Sequence, residues 1–140
     1  MRNADTVAAV AVGGVLGAEA RYGLGTLWHT PAGAFPWTTL LINAVGCLVI
    51  GVFLVAITEG RPAHRLVRPF FGTGVLGGFT TFSTYCLDAY RLLDAHRPGP
   101  ALGYLAGTLV AALGAVAAGA GGMRWVLARR GVAPARQKEA

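Results

Sequence analysis

The chain has 140 residues, 54% of them hydrophobic and only 13% charged, with a formal net charge of +6. Soluble domains carry about 25% charged residues, so composition excludes a soluble enzyme or binding module, and the length leaves room for one domain. The basic charge sits in loops and at the chain ends, between long apolar stretches, which excludes nucleic-acid binding as its purpose.

Four apolar stretches, at about residues 7–28, 37–57, 70–93 and 101–127, each reach the roughly 20 residues needed to cross a bilayer. The expected fold is an all-α membrane protein with a single four-helix transmembrane domain over residues 1–130 and a polar cytoplasmic tail over 131–140. The first stretch is too long for a signal-peptide core and is interrupted by Glu19 and Arg21, so it reads as a retained helix. Arg21 is either a functional charge at membrane depth or a side chain snorkelling to the headgroups. The second stretch carries one strongly polar side chain, Asn43, with Thr39 four residues before it on the same helical face. An amide in lipid needs partners, either neighbouring helices or a passing anion.

The third stretch contains Gly77-Gly78-Phe79-Thr80-Thr81-Phe82-Ser83-Thr84-Tyr85. Paired glycines and four hydroxyl residues make an uninterrupted helix unfavourable, so a break is expected here, facing protein or a water-filled path. Phe82 and Tyr85 are three residues apart and share a face. Their ring edges are positive and suit either core packing or a small anion. Asp88 and Arg91, also three apart, read as a local surface ion pair. In the fourth stretch Tyr104 and Thr108 form a short polar stripe that stops at Ala112.

The connections are short and turn-rich, Thr30-Pro31-Ala32-Gly33, Glu59-Gly60-Arg61-Pro62 and Arg97-Pro98-Gly99-Pro100. The 21 glycines are about twice the usual share. Gly13, Gly14 and Gly17, Gly46 and Gly51, and Gly103, Gly107, Gly114, Gly119, Gly121 and Gly122 mark small-residue faces. Four slender helices enclose little by themselves, so packing against a second copy is expected. Arg2, Arg61, Arg65, Arg68, Arg129, Arg130, Arg136 and Lys138 fall on one side of a four-span layout. Arg91 and Arg97 fall on the other. That bias predicts a multi-pass cell-membrane protein with both termini in the cytoplasm. Cys47 and Cys86 lie inside spans and read as small apolar fillers. His29, His64 and His96 have no metal-ligand spacing, and no catalytic constellation is present, so an enzyme is not expected.

Three blocks together resemble one family. Gly13-Gly14-Val15-Leu16-Gly17-Ala18-Glu19-Ala20-Arg21-Tyr22 is similar to its first-helix pattern. Thr38-Thr39-Leu40-Leu41-Ile42-Asn43-Ala44-Val45-Gly46-Cys47-Leu48-Val49-Ile50-Gly51 is similar to its second-helix pattern, and Gly77-Gly78-Phe79-Thr80-Thr81-Phe82-Ser83-Thr84 to its signature. On these residues the chain resembles the Fluc (CrcB) fluoride channels. The resemblance implies a passive fluoride-selective channel that exports fluoride and so reduces its toxicity. It implies an antiparallel, dual-topology dimer with a structural Na+ at its centre. By motif position the sodium ligands are the backbone carbonyls of Gly77 and Thr80. The anion pathway falls on Asn43, Phe82, Tyr85, Tyr104 and Thr108, with Arg21 giving its mouth a positive potential.

Two positions depart from the family pattern. Tyr85 stands where a second Phe is usual, and Ala112 where a hydroxyl is often expected. The one-sided charge favours a single orientation, which points to an oppositely oriented paralogue as the partner, with a second copy as the alternative. A competing reading is a small proton-coupled exporter that uses Glu19 as its membrane carboxylate.

Overall fold

The computed structural model describes residues 2–60 and 63–131. Among the described residues all regular secondary structure is helical. Helix α1 spans Arg2–Leu27, α2 Trp37–Thr58, α3 Gly77–Phe79, α4 Phe82–Asp94 and α5 Pro98–Arg129, and a π-helical segment, Arg68–Leu76, leads into α3. Among the described residues three helices are long and apolar enough to cross a membrane: α1 over Asn3–Leu27, α2 and α5. At 1.5 Å per residue, the 22 residues of α2 reach about 33 Å, which matches a hydrocarbon core of about 30 Å. The 32 residues of α5 exceed it, and the excess is polar at the C-terminal end, where the Arg129 guanidinium lies 3.9 Å from the centre of the Trp125 ring.

The helices associate as two couples: α2 packs along α5, and α1 packs along the π segment and α3. Small residues set both contacts. A Cβ on Gly51 would strike the Val116 carbonyl, and one on Gly119 would strike the Leu48 carbonyl. Likewise Gly17 faces the Val75 carbonyl, and Gly78 faces that of Gly14. Backbone therefore touches backbone, the close approach that small residues permit between membrane helices. A buried cluster of Ala89, Leu92, Ala101 and Tyr104 ties α4 to α5, with Phe35 and Tyr85 packed against it.

Two ion pairs gather the cationic segments at one end. Arg65 meets Asp5 at 2.8 Å, and Arg124 meets Glu59 at 2.9 Å. The N-terminal turn, the α2–π connection and the end of α5 therefore lie together. Arg61, Arg136 and Lys138 fall outside the described residues, as does the tail beyond Gly131.

Two readings of the sequence are corrected. Pro98-Gly99-Pro100 is not a loop but the first turn of α5. Proline is tolerated there because the first helical N–H groups have no partner to lose. Asp88 and Arg91 do pair, at 3.3 Å, but Asp88 is no surface residue. Its side chain is 12% exposed and also accepts a hydrogen bond from Thr39 Oγ1 at 2.6 Å.

Candidate functional site

The stretch from Arg68 to Asp94 changes conformation three times. Nine π-helical residues pass into the single turn α3. Thr80 (φ −77°, ψ 156°) and Thr81 (φ −147°, ψ 123°) are extended, and α4 begins at Phe82. Thr81 caps α4, its Oγ1 accepting the Thr84 N–H at 3.1 Å. Two side chains from other helices hold this stretch, Asn43 at the extended pair and Arg21 at α3. Asn43 Nδ2 donates to the Thr81 carbonyl at 3.0 Å, and Asn43 Oδ1 accepts the Thr81 N–H at 2.8 Å. Arg21 Nε reaches across from α1 and donates to the Gly78 carbonyl at 3.1 Å.

A cavity of about 410 Å³ lies against this stretch. It is lined by Asn43 and Cys47 of α2, by Gly77, Thr80 and Thr81, by Phe82 and Tyr85 of α4, and by Thr108 and Ala112 of α5. Six of the residues singled out in the sequence therefore share one cavity: Asn43, Gly77, Thr80, Phe82, Tyr85 and Thr108. Tyr104 stands just behind it, its ring centre 5.3 Å from that of Tyr85. Arg21 and Glu19 do not line it. Arg21 is occupied at Gly78, and Glu19 is exposed.

The rings form a run: Phe82 to Tyr85 is 5.7 Å, Tyr85 to Tyr104 is 5.3 Å, and Tyr104 to Phe35 is 5.6 Å with the rings perpendicular. The hydroxyls of Tyr104 and Thr108 are buried without a hydrogen bond of good geometry, and that of Tyr104 lies beside the Thr39 side chain. Each such group costs about 1–3 kcal/mol when left unpaired, and of the two residues Thr108 lines the cavity. Among the described residues no group of three or more His, Cys, Asp or Glu side chains converges. A cation held here would need uncharged oxygens.

Tyr85 is one of the two positions, with Ala112, where the resemblance leads one to expect another residue. Its hydroxyl is turned out of the ring run and donates to the Leu105 carbonyl at 3.0 Å. Tyr85→Phe removes one hydrogen bond to a carbonyl and keeps the ring. A stability loss of about 1 kcal/mol is expected in thermal unfolding, with ion flux within a few-fold of the parent. A flux change of about tenfold or more would show that the hydroxyl acts on the ion itself.

Sequence reasoning missed Thr81 as the residue gripped by Asn43, and missed the contact of Thr39 with Asp88. The Thr39–Asn43 spacing placed both on one face, which was the available signal. Their partners lie 49 and 38 positions away in the chain.

Residues 8–120 match the family model described as CrcB-like protein, Camphor Resistance (CrcB). The chain is 63% identical over 124 residues to a protein of Streptomyces coelicolor named fluoride-specific ion channel FluC 1, covering 89% of this chain and 80% of that one. A Nocardia farcinica protein named fluoride-specific ion channel FluC 2 is 53% identical over 84% of both chains. A Chloroflexus aurantiacus protein named fluoride-specific ion channel FluC is 42% identical over 86% of this chain and 97% of its own. With a family model spanning most of its length and relatives of this identity aligned nearly end to end, the chain belongs to the CrcB family.

Proposed function

We propose that the chain is a passive, fluoride-selective channel of the cell membrane that carries fluoride out of the cytoplasm. The observation that carries this reading is the pair of buried hydroxyls on Tyr104 and Thr108, without a hydrogen bond of good geometry and set beside the run of aromatic rings. Fluoride is small and strongly hydrated. Its path must replace water with close donors, and these must be uncharged so that the ion is released again. Ring edges of Phe82 and Tyr85, the Asn43 amide and the two hydroxyls meet both requirements. The names of the relatives point to the same ion. Arg21 adds positive potential near the mouth.

The working unit is an antiparallel dimer. Phe82 is 77% exposed in one subunit, and Gly103, Gly107 and Gly114 face open space, so a cover is called for. In this reading the third stretch crosses the membrane as a broken span. The carbonyls of Gly77 and Thr80 from each subunit supply four oxygens to a structural Na+, a hard cation suited to oxygen ligands. Both termini, including the tail over 131–140, are cytoplasmic in the dominant orientation, and the partner is a second copy or an oppositely oriented paralogue.

Fluoride efflux from liposomes tests the reading. Fast efflux that chloride does not share, unaffected by a proton gradient, is expected. Comparable chloride flux would overturn it. Glu19→Gln is expected to leave efflux within a few-fold of the parent, because Glu19 is exposed and is not among the residues lining the cavity. Loss of transport in that variant would favour a proton-coupled exporter instead. Full rescue of a fluoride-sensitive host by this chain alone would exclude an obligate paralogue.

A further inference from the structure

In a continuous α-helix each carbonyl accepts the N–H four residues further on. The donor due to the Gly77 carbonyl is the Thr81 N–H, but that group donates to Asn43 Oδ1 at 2.8 Å. The donor due to the Thr80 carbonyl is the Thr84 N–H, but that group donates to Thr81 Oγ1 at 3.1 Å. One residue earlier the ladder is intact, with the Thr80 N–H on the Leu76 carbonyl at 3.0 Å. Between the two diverted positions, the Gly78 carbonyl is occupied by Arg21 Nε. With Thr80 and Thr81 extended, the ladder is interrupted here, and side-chain acceptors take the N–H groups due to the Gly77 and Thr80 carbonyls. A carbonyl away from water and without a donor is costly unless another partner reaches it.

We propose that Asn43 is a positioning residue for the cation site: its Oδ1 withdraws the Thr81 N–H from the Gly77 carbonyl and leaves that oxygen free for sodium. The assignment rests on the sodium reading above. Asn43 does not touch the cation. It fixes Thr81 from both sides, because its Nδ2 also holds the Thr81 carbonyl at 3.0 Å. The same side chain lines the cavity beside Phe82, so one amide joins the anion path to the cation site. Without the Asn43 acceptor, the Thr81 N–H is free to return to the Gly77 carbonyl and compete with the metal.

The test is sodium-dependent thermal stability of the purified protein, titrated with sodium chloride against N-methylglucamine chloride at constant ionic strength. The parent is expected to be stabilised by sodium. Asn43→Ala is expected to need about tenfold more sodium for half of the effect, the scale of one well-placed hydrogen bond. Asn43→Asp keeps an oxygen for the Thr81 N–H but loses the Nδ2 donor to the Thr81 carbonyl, and is expected to need less additional sodium than Asn43→Ala. An Asn43→Ala titration superimposable on the parent's overturns the inference while leaving the sodium reading intact. A parent indifferent to sodium overturns the sodium reading and the inference with it. If Asn43→Ala does not assemble, hydrogen exchange of the Thr81 amide in the parent decides. Slow exchange, retained in Asn43→Asp, is expected, and exchange as fast as an unstructured amide in the parent overturns the assignment.

Discussion

Asn43→Asp is expected to reduce fluoride efflux by on the order of a thousandfold, the larger of two strong effects. The carboxylate would stand in the cavity beside Phe82 and Thr81. Two like unit charges about 4 Å apart interact by about 4 kcal/mol at an effective dielectric constant of 20, which is close to three powers of ten in rate. The substitution also removes the Nδ2 donor to the Thr81 carbonyl, although it keeps an acceptor for the Thr81 N–H. Efflux is therefore expected to fall while sodium-dependent stability is weakened less than in Asn43→Ala. Liposome efflux measured alongside thermal unfolding separates the two. Normal flux would remove Asn43 from the anion path.

Gly119→Leu is expected to prevent accumulation of folded protein. A Cβ at this position overlaps the Leu48 carbonyl oxygen and lies 3.1 Å from the Val52 nitrogen. Both are backbone atoms inside α2 and cannot rotate aside. Overpacking usually costs about 1–3 kcal/mol, and occasionally more. Here the separation of α2 and α5 itself must grow, and the reciprocal contact of Gly51 with Val116 is lost with it. The upper end of that range, about 3 kcal/mol or beyond, follows. Gly121→Ala serves as the comparison, since nothing in the subunit lies within 4 Å of its Cβ. Yield and monodispersity by size exclusion, with the melting temperature, measure both. Equal behaviour of the two variants would show that α2 and α5 are not held at backbone contact.

The long helices were legible because their cause is local. Apolar runs of bilayer length identify α1, α2 and α5 without reference to anything else in the chain. The glycines were legible as small-residue faces, but not as to which surface each would meet. Gly119 meets α2, while Gly103, Gly107 and Gly114 face open space. The π-helical winding of Arg68–Leu76 left no trace in the hydrophobic pattern. Pro98-Gly99-Pro100 carries the residues of a turn, yet opens a helix. At the site, the residue types could be read, but their partners could not.

By itself the sequence determined that this is a membrane protein of long apolar helices, and that Gly77 to Tyr85 would not sit comfortably in a continuous one. Those outcomes depend on transfer free energy and helix propensity, which belong to each segment separately. The tertiary structure alone decided what the polar groups do. It sent the Thr81 N–H to Asn43 rather than to Gly77, turned the Tyr85 hydroxyl toward Leu105, and left those of Tyr104 and Thr108 without a hydrogen bond of good geometry. A hydrogen bond is made or lost over a few tenths of an ångström between residues far apart in the chain. No local preference encodes that distance, and only the packed helices set it.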